Sequence, residues 1–151
     1  MTNDKILPKG EAGEIVNAAR IRQGKTWAEI AEHLDTPLVW TVSALLGQHP
    51  VPKDKAELAG EFLSLDRSVI ESLEVQPTRT TPAEVLQDPT IYRFLEALNV
   101  YGPALKALIH EEFGDGIMSA INFKCDFTRR PDPDGDRVVI TLDGKFLDYR
   151  W

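Results

Sequence analysis

At 151 residues, with 42% hydrophobic residues and a net charge of −7, the chain has the apolar material for a packed core and length for one or two small domains. A single cysteine, Cys125, excludes an intrachain disulfide and suits a reducing compartment. No apolar run approaches the roughly 18 residues of a membrane span, and "MTNDKILPKG" lacks the apolar segment of a signal peptide, so a cytoplasmic protein with no membrane partner is expected.

The first 75 residues read as short helices joined by tight turns. "GEAGEIVNAARIRQ" covers about Gly10 to Gln23. Thr26 then opens "TWAEIAEHL" with Glu29 three residues on, the capping-box pattern. "PLVWTVSALLG", "KDKAELAGEFL" and "DRSVIESLEV" complete five helices, and the second and third have helix-turn-helix spacing. Thr26 to Gly47 contains no Lys or Arg but holds Glu29, Glu32 and Asp35, whereas DNA affinity rests largely on cationic contacts to phosphate. Charge elsewhere gives no relief: residues 1–75 carry 8 Lys/Arg against 12 Asp/Glu, and residues 76–151 carry 9 against 12. No nucleic-acid partner is expected. Trp27, Ile30, Ala31 and Leu34 read as core, and Trp40 as core or interface.

A Pro- and Thr-rich stretch, "QPTRTTPAEVLQDP", marks the domain boundary near residue 80, with a helical turn allowed at Ala83 to Gln87. "TIYRFLEALNVYG" follows, with Ile91, Phe94, Leu95 and Leu98 on one helix face. Its other face carries Tyr92, Ala97 and Val100 around two charges, Arg93 and Glu96. That pair reads either as a surface salt bridge or as charges held in an apolar, partner-covered setting. Gly102 should end this helix and Pro103 should open another, "PALKALIHEEF", stopping at Gly114. Two alternating runs come last. Ile121, Phe123, Cys125 and Phe127 face one way in "INFKCDFTR", and Val138, Ile140 and Leu142 alternate in "DRVVITLD", with the turn signal "RPDPDGD" between them. Two strands do not form an independently stable sheet, so pairing with a second copy is expected.

His33, His49 and His110 lack zinc-site spacing, and no phosphate-binding glycine loop or nucleophile elbow occurs. His110 lies off the Leu105–Leu108–Ile109 stripe, which suits an exposed or interface position. Ser119, in "EEFGDGIMSAINFK", reads as a capping serine at a helix–strand junction or as a hydroxyl donor to a small anion.

"YRFLEALNVYGPALKALIHEEFGDGIMSAINF", followed by "ITLDGKFL", resembles the cyanase (cyanate hydratase, cyanate lyase) family over nearly the whole C-terminal part. "TWAEIAEHL…VSALLGQ" and "LSLDRSVIESLEVQPTR" resemble its helical domain and linker more loosely, and the final "DYRW" carries less of the resemblance. The resemblance implies an α+β chain: a five-helix, repressor-like bundle over residues 1–80 that is not used for DNA, and a small α+β domain over 81–151 intertwined with a second copy. It implies a homodecamer built as a pentamer of dimers. It places the catalytic residues at Arg93, Glu96 and Ser119, with no metal or organic cofactor. The substrates it implies are cyanate and bicarbonate, yielding carbamate and carbon dioxide, with bicarbonate as the nucleophile. A guanidinium suits such anions because its planar fork binds oxyanions bidentately and stays charged. Glu96 would orient Arg93 and relay a proton, and Ser119 would donate as an oxyanion-hole group does. A second reading is a helix-turn-helix regulator with an oligomerising, ligand-sensing domain.

Overall fold

The computed structural model describes residues 5–80 and 82–150, so Thr81, Trp151 at the end of "DYRW" and the first four residues lie outside the described set. The chain is α+β. It divides into two compact units, residues 1–79 with 126–140, and residues 80–125 with 141–151.

The first unit contains five helices: α1 Lys9–Arg22, α2 Trp27–Leu34, α3 Leu38–Leu45, α4 Lys53–Leu63 and α5 Arg67–Glu74. Several boundaries have a local cause. Glu11 sits in the first turn of α1 and Arg20 and Arg22 in its last, matching the helix dipole. The capping box of α2 is complete: Glu29 N donates to Thr26 Oγ1 at 3.1 Å, and Thr26 N donates to Glu29 Oε2 at 2.6 Å. Asp35 stops α2 in the left-handed region at φ 51°, a conformation Asp tolerates better than most residues. Pro37 then sets the entry to α3. Thr41, fully buried, donates to the Pro37 carbonyl at 2.7 Å, and its hydroxyl lies 2.6 Å from that of Thr36.

Val16, Ile30, Leu34, Leu45, Leu63, Val69 and Leu73 form the buried centre, with Trp27 and Trp40 packed at its edge. Arg20 lies over the Trp27 ring at 4.7 Å. One polar latch ties the start of this segment to its end. Lys9 Nζ donates to the carbonyls of His49 at 3.1 Å, Leu73 at 2.9 Å and Val75 at 2.7 Å. An ammonium has three hydrogens to give, and all three are placed.

The second unit opens with α6 Ala83–Gln87, followed by α7 Pro89–Phe113. Asp88 caps α7, its Oδ1 accepting from Thr90 N at 2.8 Å and Ile91 N at 3.1 Å. The expected pair of helices meeting at Gly102–Pro103 is instead this single 25-residue helix, with Pro103 inside it. A proline ring crowds the Cβ of the residue before it, and Gly102 has none. The missing N–H and the contact with the carbonyl four residues back remain, a local cost of about 3 kcal/mol that does not break α7 here.

β1 Gly116–Arg130 and β2 Arg137–Asp148 pair as a two-stranded sheet. The connection at 131–136 is the expected turn: Asp134 N donates to Asp132 Oδ1 at 3.0 Å, and Gly135 adopts φ 124°. Arg129 and Asp136 close it with an ion pair. The expected one-faced alternation in β1 holds only in part. Phe123 and Cys125 are half-buried, but Phe127 is exposed and Ile121 is 98% exposed. Among the described residues no helix is long and apolar enough to cross a membrane.

Two outcomes follow from the helical unit. Thr26→Ala removes one half of the capping box and should lower unfolding stability by about 1 kcal/mol, read by urea denaturation. Burial, then Arg79 and Lys9, holds the His49 imidazole below its ordinary proton affinity. The unfolded chain therefore protonates at higher pH than the folded one, so stability should fall as pH drops through the ordinary histidine range. Melting temperatures taken between pH 7.5 and 5.5 should show that fall, and His49→Gln should flatten it.

Candidate functional site

Arg93 and Glu96 lie one turn apart on α7, and the structure joins them: Arg93 Nη1 donates to Glu96 Oε2 at 2.8 Å. In the single chain the pair is open to solvent, with the side chains 68% and 53% exposed. Such an i, i+3 pair is worth only about 0.2–0.5 kcal/mol to its helix. Its surroundings set it apart from an ordinary surface pair. Tyr92, Phe94, Leu98, Val100 and Tyr101 are all exposed around it, and α7 has no buried residue. Among the described residues Glu96 is the one hydrogen-bond partner of Arg93, which leaves most of the guanidinium's five donors for another ligand.

Ser119 has the opposite environment. It is 6% exposed and is the buried polar residue of the second unit. Its Oγ accepts from Ile121 N at 3.1 Å and Asn122 N at 2.9 Å. Successive N–H groups of a regular strand point in opposite directions, so two that converge on one oxygen mark a local departure from regular geometry inside β1. Ser119 is therefore not a junction cap, since it lies three residues inside the strand. Both lone pairs of its hydroxyl are occupied by main-chain donors, and the O–H proton is the capacity that remains. No hydrogen bond joins Ser119 to Arg93 or Glu96 within the described residues.

The approach to Ser119 is fixed at both ends. At the end of α7, His110 Nδ1 lies 2.9 Å from the Gly114 carbonyl and Nε2 lies 2.6 Å from Lys106 Nζ. The carbonyl can only accept and the ammonium can only donate, so the imidazole carries its proton on Nδ1. Gly114 turns the chain at φ 90°, and Phe113 stacks on Phe146 with centroids 5.0 Å apart. The half-buried position of His110 differs little from the expected one, and its bridging role was not visible in spacing. Cys125 is a free, half-buried thiol. Asp88, Asn122 and Gly144, which faces Ser119 across the hairpin, were not singled out from the sequence. Of these, Asp88 carries the signal of an N-cap before Pro89, and Gly144 carries another, since glycine inside a strand often marks close backbone approach.

A helical unit followed by a long helix and hairpin, carrying an Arg–Glu pair in apolar surroundings and a main-chain-locked serine, defines an α+β protein. Known proteins agree closely. The family model for the cyanate lyase C-terminal domain matches residues 83–151, and that for the cyanate hydratase N-terminal region matches residues 10–77. The chain belongs to the cyanate lyase family. It is 58% identical over 146 residues to the cyanate hydratase of Mycolicibacterium vanbaalenii, covering 96% of this chain and 95% of the relative. It is 49% identical over 150 residues to the cyanate hydratase of Pseudomonas syringae pv. tomato, covering 99% and 97%. The crystal structure of cyanase from T. urticae superposes with a TM-score of 0.82 at 37% identity, over 91% of this chain and 96% of that one.

Proposed function

We propose that this chain is a cyanate hydratase in which bicarbonate attacks the carbon of cyanate at a site formed by Arg93, Glu96 and Ser119. The observation that carries the reading is the Arg93–Glu96 pair, set within exposed apolar residues of α7 in a chain of this family. Bicarbonate forms a C–O bond to cyanate, and the mixed intermediate then breaks a C–O bond to release carbon dioxide. Carbamate takes up one proton in that sequence and with a second decomposes to ammonia and carbon dioxide. The protein supplies no nucleophile.

Its work is electrostatic. Two like-charged anions repel, and a guanidinium between them offsets that repulsion more strongly where water is excluded. Glu96 holds one edge of Arg93, which orients the remaining donors, and its carboxylate passes the proton that carbamate requires. Ser119, its lone pairs occupied, presents an O–H to the oxygen on which charge develops. No metal or organic cofactor is assigned a role. Bicarbonate-dependent ammonia release from cyanate tests this reading. Salt-sensitive retention on DNA, without turnover, would favour the regulator, for which the −3 charge of residues 26–47 speaks poorly. Arg93→Lys keeps the charge but loses the fork, and kcat/KM should fall by more than about tenfold, roughly 1.4 kcal/mol of barrier. Turnover near the parent rate would remove the bidentate role.

Assembly belongs to the same proposal. α7 and β1 expose more contiguous apolar side chains than a monomer ordinarily keeps, with Val100 66% and Ile121 98% exposed. A second copy covers them, as an intertwined dimer and then a pentamer of dimers. Desolvation of the Arg93–Glu96 pair then comes from the neighbouring copy, and Arg93, Glu96 and Ser119 of one site derive from different chains. Dissociating and reassembling a mixture of Arg93→Ala and Ser119→Ala, each strongly impaired but measurable alone, should raise the activity above that of either variant. Mixed oligomers shown by mass, with no activity regained, would mean that each chain holds a whole site.

A further inference from the structure

We propose that Gly144 is a positioning residue for Ser119, holding the serine hydroxyl in place by letting β2 pass against the Ser119 main chain with no side chain between. The proposal rests on the reading of Ser119 as a donor in the reaction.

A Cβ placed on Gly144 would lie 2.4 Å from the Ser119 carbonyl oxygen, 2.4 Å from Met118 Cγ and 3.0 Å from Met118 Sδ. Side-chain atoms can move aside, but the carbonyl belongs to the strand. Gly144 is not in the left-handed region, so glycine is required here for space and not for conformation. The same closeness recurs three residues away in each strand, where a Cβ on Gly116 would lie 2.2 Å from the Leu147 carbonyl and 2.5 Å from the Phe146 ring. Between these two contacts, residues 116–119 and 144–147 run side by side with no slack.

Ser119 stands at the end of that tight segment, where two main-chain N–H groups turn onto its Oγ. Its Oγ position depends on the main chain of residues 119–122, because Ile121 N and Asn122 N hold it. Any methyl group on residue 144 pushes the Ser119 carbonyl away from β2, and the displacement passes directly into the three-residue loop that aims the hydroxyl. A shift of under 1 Å suffices to spoil a donor that must meet a developing charge at hydrogen-bond distance. Gly144 touches no substrate in this account and acts only through Ser119.

A double-mutant cycle on the full-length, assembled enzyme separates this from a general structural role. The four proteins are the parent, Gly144→Ala, Ser119→Ala and the double variant, each checked for fold by circular dichroism and for assembly by mass. Gly144→Ala should lower kcat by about tenfold or more, with a smaller change in KM. In the Ser119→Ala background the same substitution should change kcat by less than about twofold, because the group it displaces is gone. Hydrogen exchange of a peptide spanning Ile121 and Asn122 should be faster in Gly144→Ala than in the parent. Losses that multiply in the double variant, or parent-like kcat and exchange in Gly144→Ala, overturn the proposal. A parent-like Ser119→Ala instead removes the role of Ser119 itself. If Gly144→Ala does not fold, Met118→Ala/Gly144→Ala clears the side-chain obstacle, leaves the carbonyl contact and reads the same displacement against Met118→Ala.

Discussion

The second unit is organised by one unmet requirement, the burial of α7. A 25-residue helix with apolar groups on most of its circumference and no buried residue is far from an energetic minimum by itself. Each exposed Phe, Leu or Val gains roughly 1.5–3 kcal/mol when removed from water, so a partner surface is worth more here than any polar contact in the unit. The Arg93–Glu96 pair takes its meaning from this. In water it is a weak ion pair; under an apolar cover its charges interact strongly and any third charge nearby is felt. In the proposed function, catalytic electrostatics and assembly draw on the same surface.

The two units solve opposite problems. In the helical unit polar groups are satisfied internally: Thr26 with Glu29, Thr41 with Pro37, Ser72 with Leu7 at 2.7 Å, and Lys9 with three carbonyls. In the second unit the large apolar side chains are left facing outward. Ser119 is the exception, a buried hydroxyl whose lone pairs are consumed by its own strand. Anchoring it in this way removes its freedom to rotate between acceptors, which favours a single direction for the remaining proton.

The helical unit was legible because its helices carry local start and stop signals, such as Thr26 and Glu29 for α2 and Pro37 for α3. These signals act within four residues and need no tertiary partner. Gly102–Pro103 misled for the same reason. A local rule ends the helix there, and the absence of a Cβ on Gly102, which relieves the crowding by Pro103, is a subtler local fact. The position of Arg93 and Glu96 on one helix was readable from spacing, as was their apolar company. The environment of Ser119 was not. Its partners are two main-chain N–H groups that converge on one oxygen, a local irregularity that leaves little trace in an alternation of apolar and polar residues. Its relation to Gly144 depends on strand register, which two runs of alternating residues do not define.

The Lys9 latch has a consequence for the architecture of the helical segment. A single ammonium reaches the carbonyl of Val75 at 2.7 Å from a side chain rooted at residue 9, so the segment's entrance and exit stand side by side. A module with adjoining ends is tethered to the rest of its chain at effectively one point. Tension applied across those ends loads three hydrogen bonds at the rim before it reaches Leu34 or Leu63 in the interior. The segment would therefore come loose at its seam first, with its packed centre still intact.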